Sequence, residues 1–187
     1  MTGKLRTLFI SFLVIFLFRE VLTFMEIIPM KYILTPLITA TVLWMAVLAI
    51  AESGPSLYRG LVAGGLTTAL IADTILMIIE GDLLKFGLVF FLATHVAYCI
   101  AFSRQYRFKT AHLVVAAGLV LYIAVFFYNI KGRTNGLDIP VLIYMLLIST
   151  MVYFAVNRPA EAPRRQRLLL LFGAVLFLVS DTILAVN

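Results

Sequence analysis

Two aspartates occupy closely similar apolar segments that lie 108 positions apart in the chain. The segment around Asp73 is GLTTALIADTIL, residues 65–76, and the segment around Asp181 is GAVLFLVSDTIL, residues 173–184. A carboxylate inside a membrane span is costly and usually functional, so the matched pair predicts one site built from both aspartates. A buried pair that only fixes helix packing is the less favoured alternative.

A third candidate for chemistry is a histidine in another apolar stretch. Spacings of four, four and three place four residues on one face of a helix: Gly87, Phe91, His95 and Tyr98. The imidazole of His95 can exchange a proton near neutral pH, which suits proton transfer beside two carboxylates. A histidine that only packs in the helical core is an equally good interpretation of the pattern.

A further stretch repeats this one-sided arrangement. The residues that share its face are Pro140, Tyr144, Ile148 and Met151. The proline suits a first helical turn, and Tyr144 could donate a hydrogen bond to a carboxylate or to a ligand oxygen. A tyrosine near a membrane interface is common without any such role.

Metal and nucleophile motifs are absent from the sequence. It contains no P-loop, HExxH or GxSxG pattern. The two histidines, His95 and His112, are too few for a three-histidine zinc site. The single cysteine, Cys99, excludes an intrachain disulfide and a multi-cysteine metal site. A site of one histidine and two aspartates has the right ligand types for a metal, but nothing in the spacing supports it, and we predict no metal and no cofactor.

The composition is that of a polytopic membrane protein. Of the 187 residues, 63% are hydrophobic and 13% are charged, whereas soluble domains are near half apolar and a quarter charged. The net charge of +6 is carried by loops, so it indicates membrane topology and not nucleic-acid binding. We expect no separate soluble domain, one transmembrane helical domain over residues 1–187, and an oligomeric state that the sequence leaves open.

The fold class predicted is all-α, a bundle of seven transmembrane spans, each near the 20 residues that cross a bilayer. The spans are 7–26, 33–51, 59–79, 84–102, 111–130, 139–156 and 167–187. The start of the chain resembles a signal peptide but lacks a small-residue cleavage site, so we expect a retained first span. That span is unusual because Arg19 and Glu20 lie near its middle.

The distribution of Lys and Arg predicts the orientation. One side of the membrane would hold ten: Lys4, Arg6, Arg59, Arg104, Arg107, Lys109, Arg158, Arg164, Arg165 and Arg167. The other would hold five: Arg19, Lys31, Lys85, Lys131 and Arg133. The richer side should be cytoplasmic, which places the N-terminus inside, in a bacterial inner membrane or a eukaryotic endomembrane.

The two aspartate segments then form a parallel repeat, because an even number of crossings separates spans three and seven. Each aspartate follows an arginine, Arg59 or Arg167, by fourteen residues, or about 21 Å of helix. Both carboxylates should therefore lie in the outer half of the membrane. The glycines eight residues earlier, Gly65 and Gly173, should permit close helix contact.

The ordered set of these motifs resembles the YhhN-type integral-membrane family, whose characterised members are lysoplasmalogenases. The resemblance covers residues 31 to 187. Two departures are visible, since Ala72 precedes Asp73 where the family usually has glycine, and Thr35 begins a Thr-Pro-Leu run where the family often has Lys-Pro-Leu. Lys31 lies one turn before Thr35. The family usually has eight spans, so we expect this chain to be one helix short at its C-terminus.

The resemblance implies hydrolysis of the vinyl ether bond of a lysoplasmalogen, a lysophospholipid substrate drawn from the surrounding membrane lipids. Vinyl ethers hydrolyse by protonation on carbon, and two carboxylates in a low-dielectric pocket favour one protonated and one ionised group. The predicted catalytic residues are Asp73, Asp181 and His95, and the predicted substrate-binding residues are Tyr98, Tyr144 and Lys31. The alternatives are a proton-coupled transporter or lipid-binding membrane protein and a packing protein without chemistry.

Overall fold

Seven α-helices account for most of the chain in a computed structural model of the protein. The structure describes residues 3–25, 28–78, 84–104, 106–134, 136–158 and 163–186, and within these the side chains of residues 23, 28–31, 78, 84 and 183–186 lie outside the description. The helices are α1 (Gly3–Phe24), α2 (Ile28–Ser53), α3 (Leu57–Ile78), α4 (Leu84–Ser103), α5 (His112–Ile130), α6 (Asp138–Val156) and α7 (Arg164–Val186). No strand occurs in the described ranges, so the all-α prediction is confirmed.

Five of the helices are long and apolar enough to cross a membrane. These candidate spans are Tyr32–Ser53, Leu57–Met77, Lys85–Ser103, His112–Ile130 and Asp138–Val156. Helices α1 and α7 lie outside this set; each carries four charged residues, whereas none of the other five helices carries more than two. The protein is therefore a helical membrane protein, while seven crossings, the parallel repeat and the cytoplasmic N-terminus stay predictions.

Glycine and proline end the helices where the sequence suggested breaks. Helix α2 stops at Ser53 because Gly54 adopts the left-handed region at φ 80° and Pro55 follows. Gly132 has φ 82° just after α5. The Gly132 N–H donates to the Asp138 carboxylate at 3.1 Å. The Thr134 hydroxyl donates to the same carboxylate. A carboxylate at the first turn of α6 suits the helix dipole.

Residues Met1–Ala97 form one compact unit. In this unit α2 packs against both α1 and α3. The start of α4 lies against α3 at Gly87, where an added Cβ would lie 2.7 Å from Cγ and Cδ2 of Leu76. Gly87 is thus held at a close helix contact that leaves no room for a side chain.

Residues Tyr98–Asn187 form the second unit, in which α6 packs against α5 and α7. Its core is a cluster of buried residues: Ile148, Met151, Val152, Ala155 and Ala174. The predicted face of α6 is thereby confirmed as a buried face at Ile148 and Met151. The single domain predicted over residues 1–187 stays a prediction.

Candidate functional site

Asp73 lies in α3 and is held by a hydroxyl from the helix that precedes it. The Thr39 hydroxyl of α2 donates to Oδ2 of Asp73 at 2.5 Å, and the carboxylate is half-buried. An interhelical hydrogen bond of this kind fixes the rotation of one apolar helix against another. Asp73 therefore has a defined orientation inside the first unit.

A positive charge from α1 also acts on this carboxylate. The guanidinium of Arg19 exerts an electrostatic attraction on Asp73, and it forms an ion pair with Glu20, its neighbour in the chain. The Arg19 cation, on α1, thus interacts with Glu20 of its own helix and with Asp73 of α3, and it follows an uncharged stretch over residues 8–18. Charge pairing of this sort lowers the cost of ionisable groups at membrane depth.

The two positions at which the chain departs from the usual family pattern lie on α3 and α2, the helices that carry Asp73 and its donor Thr39. Ala72 is completely buried, so the position tolerates a methyl group but nothing larger without rearrangement. Thr35 lies one turn before Thr39 on α2, and its buried hydroxyl has no hydrogen-bond partner among the described residues. A donor is therefore available one helical turn from the hydroxyl that holds Asp73.

His95 lies in α4 with its side chain completely buried. Its Nδ1 is 2.7 Å from the carbonyl oxygen of Phe91, one turn earlier, so Nδ1 carries the proton and donates it to that carbonyl. In this tautomer Nε2 is the nitrogen that can accept a hydrogen bond. The predicted face of α4 is confirmed as a buried face at Gly87 and His95.

A neighbouring threonine fixes α4 against α3. Thr94 is completely buried, and its hydroxyl lies 2.8 Å from the Thr68 hydroxyl and 3.2 Å from the Gly65 carbonyl. Gly65 is buried at this contact, so the close approach predicted there is confirmed. Gly173 is exposed, and no described atom lies within 4 Å of where its Cβ would be, so the same prediction is wrong at Gly173.

Asp181 lies in α7 of the second unit and is also held by a hydroxyl from the preceding helix. The phenol of Tyr144, in α6, donates to Oδ2 of Asp181. Both side chains are half-buried. The contact that the sequence suggested for Tyr144 is therefore present, although the catalytic role of either residue stays a prediction.

A second tyrosine completes this cluster. The Thr182 hydroxyl donates its one proton to the Leu178 carbonyl at 2.6 Å, so it has no second proton to donate to Tyr122. The Tyr122 hydroxyl, 2.6 Å from Thr182 Oγ1, must then be the donor in that contact. Hydroxyls from α5 and α6 thus bond to two neighbouring residues of α7, Tyr122 to Thr182 and Tyr144 to Asp181.

The two aspartate settings share an arrangement that extends beyond the repeated segments. Each carboxylate accepts from a hydroxyl on the immediately preceding helix, 34 residues earlier for Asp73 and 37 residues earlier for Asp181. In both cases a proline precedes the donor by about one turn, Pro36 before Thr39 and Pro140 before Tyr144. The similarity therefore covers a pair of helices in each unit.

The remaining predicted residues lie in different places. Tyr98 belongs to the second unit, where it stacks on Phe102 with ring centroids 5.9 Å apart and packs against the core cluster. Lys31 is in α2, but its side chain lies outside the described residues. Asp73 and His95 fall in the first unit and Asp181 and Tyr144 in the second. No group of three His, Cys, Asp or Glu side chains is close enough to hold a metal within the described part of the chain.

Four residues in these clusters were not identified from the sequence as site residues: Arg19, Thr39, Tyr122 and Thr182. Arg19 had a usable signal, because a charge in the middle of an apolar span is itself a mark of function. No comparable signal marked Thr39, Tyr122 and Thr182, since threonine and tyrosine are frequent in membrane helices and their hydroxyls often bond to the backbone of their own helix.

A protein-family model matches most of the chain. The model of the YhhN family matches residues 30–187, which include α2 from its third residue to the end of α7. No curated protein matches the chain, and no solved structure does.

Proposed function

The chain belongs to the YhhN family, and from that premise we propose that it is a membrane hydrolase that cleaves the vinyl ether bond of lysoplasmalogens. The products are a fatty aldehyde and a glycerophospho-ethanolamine or glycerophospho-choline. The observation that carries the proposal is the hydroxyl donor on each of the two helical aspartates, Thr39 on Asp73 and Tyr144 on Asp181. Carboxylates held in a fixed orientation in an apolar setting suit acid and base chemistry.

The reaction needs two carboxyl groups in different states. A protonated carboxyl transfers its proton to the vinyl carbon that is not bonded to oxygen, which leaves an oxocarbenium ion stabilised by a nearby carboxylate. Water adds to this cation and loses a proton to the conjugate base, and the resulting hemiacetal releases the aldehyde and the glycerol hydroxyl. Glycosidases divide the work between two carboxyl groups in the same way.

Asp73 and Asp181 are the residues proposed to supply the acid and the anion. Both are half-buried, and the proposal gives each of them one of the two roles. Tyr144 and Thr39 act as positioning residues, because each orients a carboxylate through one hydrogen bond. His95, with Nε2 as its acceptor nitrogen, would position water or return a proton.

The substrate contacts are proposed from the chemistry of three further residues. Lys31 is the predicted partner for the substrate phosphate, and a lysine acts there as a point charge. Thr35, with its unpartnered buried hydroxyl, adds a donor one turn away on the same helix. Tyr98 is kept as a predicted contact for the apolar chain, in line with its packing beside Phe102.

The test is a lipid-turnover assay on the purified protein in detergent or vesicles. Lysoplasmalogens and ester lysophospholipids are supplied separately, and released aldehyde and glycerophospho products are identified by mass spectrometry. Asp73→Asn and Asp181→Asn should each reduce aldehyde release by at least a hundredfold, while thermal melts stay close to the parent. The matched control is Asp138→Asn. It changes the carboxylate at the start of α6 that accepts hydrogen bonds from the Gly132 N–H and the Thr134 hydroxyl.

The outcome also separates the alternatives. Full turnover in both aspartate variants would refute the mechanism. A much lower melting temperature with unchanged turnover per folded molecule would favour a packing role. Intramembrane carboxylates also suit proton-coupled transport, so vesicles are assayed for lipid movement under a pH gradient. Movement without cleavage would replace the hydrolase proposal.

The pairing of the aspartates has its own test. If the two carboxyl groups act as one unit, the Asp73→Asn/Asp181→Asn double variant loses no more activity than the worse single variant. Independent roles predict that the two losses multiply.

A further inference from the structure

An aromatic cluster lies at the end of the second unit where α4 leads into α5. The cluster is formed by Tyr106, His112, Tyr153 and Phe154. The Tyr106 hydroxyl lies 2.5 Å from the Tyr153 hydroxyl and 3.3 Å from Nδ1 of His112. Desolvation and the contact with Tyr153 raise the pKa of Tyr106 to about 12, so the phenol keeps its proton at neutral pH. The cluster therefore fixes the loop between α4 and α5 against the last turns of α6.

The same end of the unit is rich in cations. Seven of them lie in the loops and first turns there: Arg104, Arg107, Lys109, Arg158, Arg164, Arg165 and Arg167. The two carboxylates described in this unit, Asp138 and Asp181, lie toward the other end, since α6 begins at Asp138 and Asp181 is 17 residues past the start of α7. Glu161 falls outside the described residues. Membrane topology by itself accounts for a positive end, so charge alone does not identify a site.

Two buried donors at this end point to a ligand. Asn157 is only 7% exposed, and its Nδ2 has no hydrogen-bond partner among the described residues. It is the C-cap residue of α6, and its backbone N–H donates to the carbonyl of Tyr153, a member of the aromatic cluster, at 3.1 Å. The Nε of Arg167, in the first turn of α7, is likewise buried and unpartnered within the described ranges. Burial of a donor without an acceptor is unfavourable, so both groups call for an acceptor.

The backbone adds donors beside these side chains. Helix α7 begins at Arg164, and its first helical bond runs from Arg167 N to the Pro163 carbonyl at 3.1 Å. The N–H groups at the start of a helix have no partner within it, and they bind anions well. Leu170, one turn after Arg167, packs against the core cluster that includes Ala155, two residues before Asn157. The donors of α6 and α7 therefore lie at one end of the same helix pair.

We propose that the end of the second unit formed by Asn157, Arg167 and the start of α7 binds a phosphate group, with an anionic membrane phospholipid as its source. A phosphate has several strong acceptor oxygens, which matches a site that offers donors and cations and no described acid. Basic pockets between membrane helices bind anionic headgroups in this way. The ligand would anchor the α6–α7 pair at the interface that the charge distribution predicts to be cytoplasmic.

This site is separate from the proposed active site. Asp181 is fourteen residues beyond Arg167 along α7, or about 21 Å at the rise of an α-helix. The phosphate site would therefore hold a lipid other than the substrate, and its test does not depend on hydrolase activity.

The test measures binding to the full-length protein in detergent. A short-chain fluorescent phosphatidic acid is titrated and compared with the equivalent phosphatidylcholine, and inorganic phosphate is added as a competitor in a separate arm. Asn157→Asp keeps the shape of the side chain but replaces the donor with a carboxylate, and Arg167→Gln removes the cation. The matched control is Arg133→Gln, an exposed arginine in the loop between α5 and α6.

The expected result is that phosphatidic acid binds more tightly than phosphatidylcholine and that each variant weakens its binding about tenfold, the scale of a hydrogen bond to a charged group. Arg133→Gln should bind as the parent does. Competition by millimolar inorganic phosphate that both variants abolish would support the same site with soluble phosphate as a source. Equal binding of the two lipids, or equal weakening by Arg133→Gln, would overturn the proposal.

Discussion

Removal of one oxygen atom tests the role proposed for Tyr144. The Tyr144→Phe variant keeps the ring, which shares the face of α6 that includes the buried Ile148, and deletes only the hydroxyl that donates to Asp181. Asp181 then loses the hydrogen bond from Tyr144 but keeps its charge and its position in α7. The change is therefore specific to the hydrogen bond.

The size of the effect follows from the setting of this bond. Interhelical hydrogen bonds in membranes contribute about 0.6 kcal/mol on average and about 1.7 kcal/mol at most. A carboxylate acceptor places this bond at the upper end, and since tenfold in rate corresponds to about 1.36 kcal/mol, the expected loss is about 18-fold. We therefore expect aldehyde release per folded molecule to fall about tenfold to twentyfold.

The matched control is Tyr128→Phe. Tyr128 lies in α5 of the same unit and is 85% exposed, so the same deletion should leave turnover unchanged. Turnover and thermal melting are measured together on both variants. A role confined to packing predicts a lower melting temperature for Tyr144→Phe with normal turnover.

A second comparison tests whether Tyr144 acts through Asp181. In the Asp181→Asn background the residual turnover should be the same with or without the Tyr144 hydroxyl, because the bond it made no longer orients a carboxylate. The reasoning is refuted if Tyr144→Phe retains turnover within twofold of Tyr128→Phe, or if its loss is undiminished in the Asp181→Asn background.

Three further predictions rest on contacts in the first unit. Thr39→Val removes the hydroxyl that donates to Asp73 and should lower lipid turnover several-fold, whereas Thr39→Ser keeps a hydroxyl and should keep the turnover. Thr41→Val is the control, because the Thr41 hydroxyl bonds to the Leu37 carbonyl of its own helix. Gly87→Ala places a Cβ 2.7 Å from Leu76 and should destabilise the protein by about 1–3 kcal/mol. Gly118→Ala is the control, because no described atom lies within 4 Å of the added Cβ. A melting temperature equal to that of the parent in both variants would contradict the close contact at Gly87. Thr94→Val removes the bonds to Thr68 and Gly65 and should lower stability by about 0.6–1.7 kcal/mol, more than Thr150→Val, whose hydroxyl bonds within α6.

The positions of the helices could be predicted well from the sequence. The predicted spans 84–102, 111–130 and 139–156 agree with α4, α5 and α6 to within one residue at each end. The largest difference is at the start of α2, which begins at Ile28 and not at 33. The prediction placed Pro29 in a loop, but a proline in the first turn of a helix lacks only an N–H that would have no partner there.

The hydroxyl partners of the aspartates could not be predicted. Thr39 and Thr41 are two residues apart in α2, yet the first donates to Asp73 and the second to its own helix. In α5, Tyr122 reaches Thr182 while Tyr128 is exposed. The choice in each case depends on how far one helix is rotated about its axis against the next, and an apolar sequence specifies that rotation only weakly.

The sequence by itself determined the class of fold and the residues that would be costly to bury. Long apolar segments must form helices because hydrocarbon offers no partners to the backbone, and a carboxylate in such a segment requires a compensating contact. Only the tertiary structure decided which partner that is: the Thr39 hydroxyl and the charge of Arg19 for Asp73, and the Tyr144 hydroxyl for Asp181. These contacts join residues 34 or more positions apart, so they depend on the packing of whole helices and not on any local pattern.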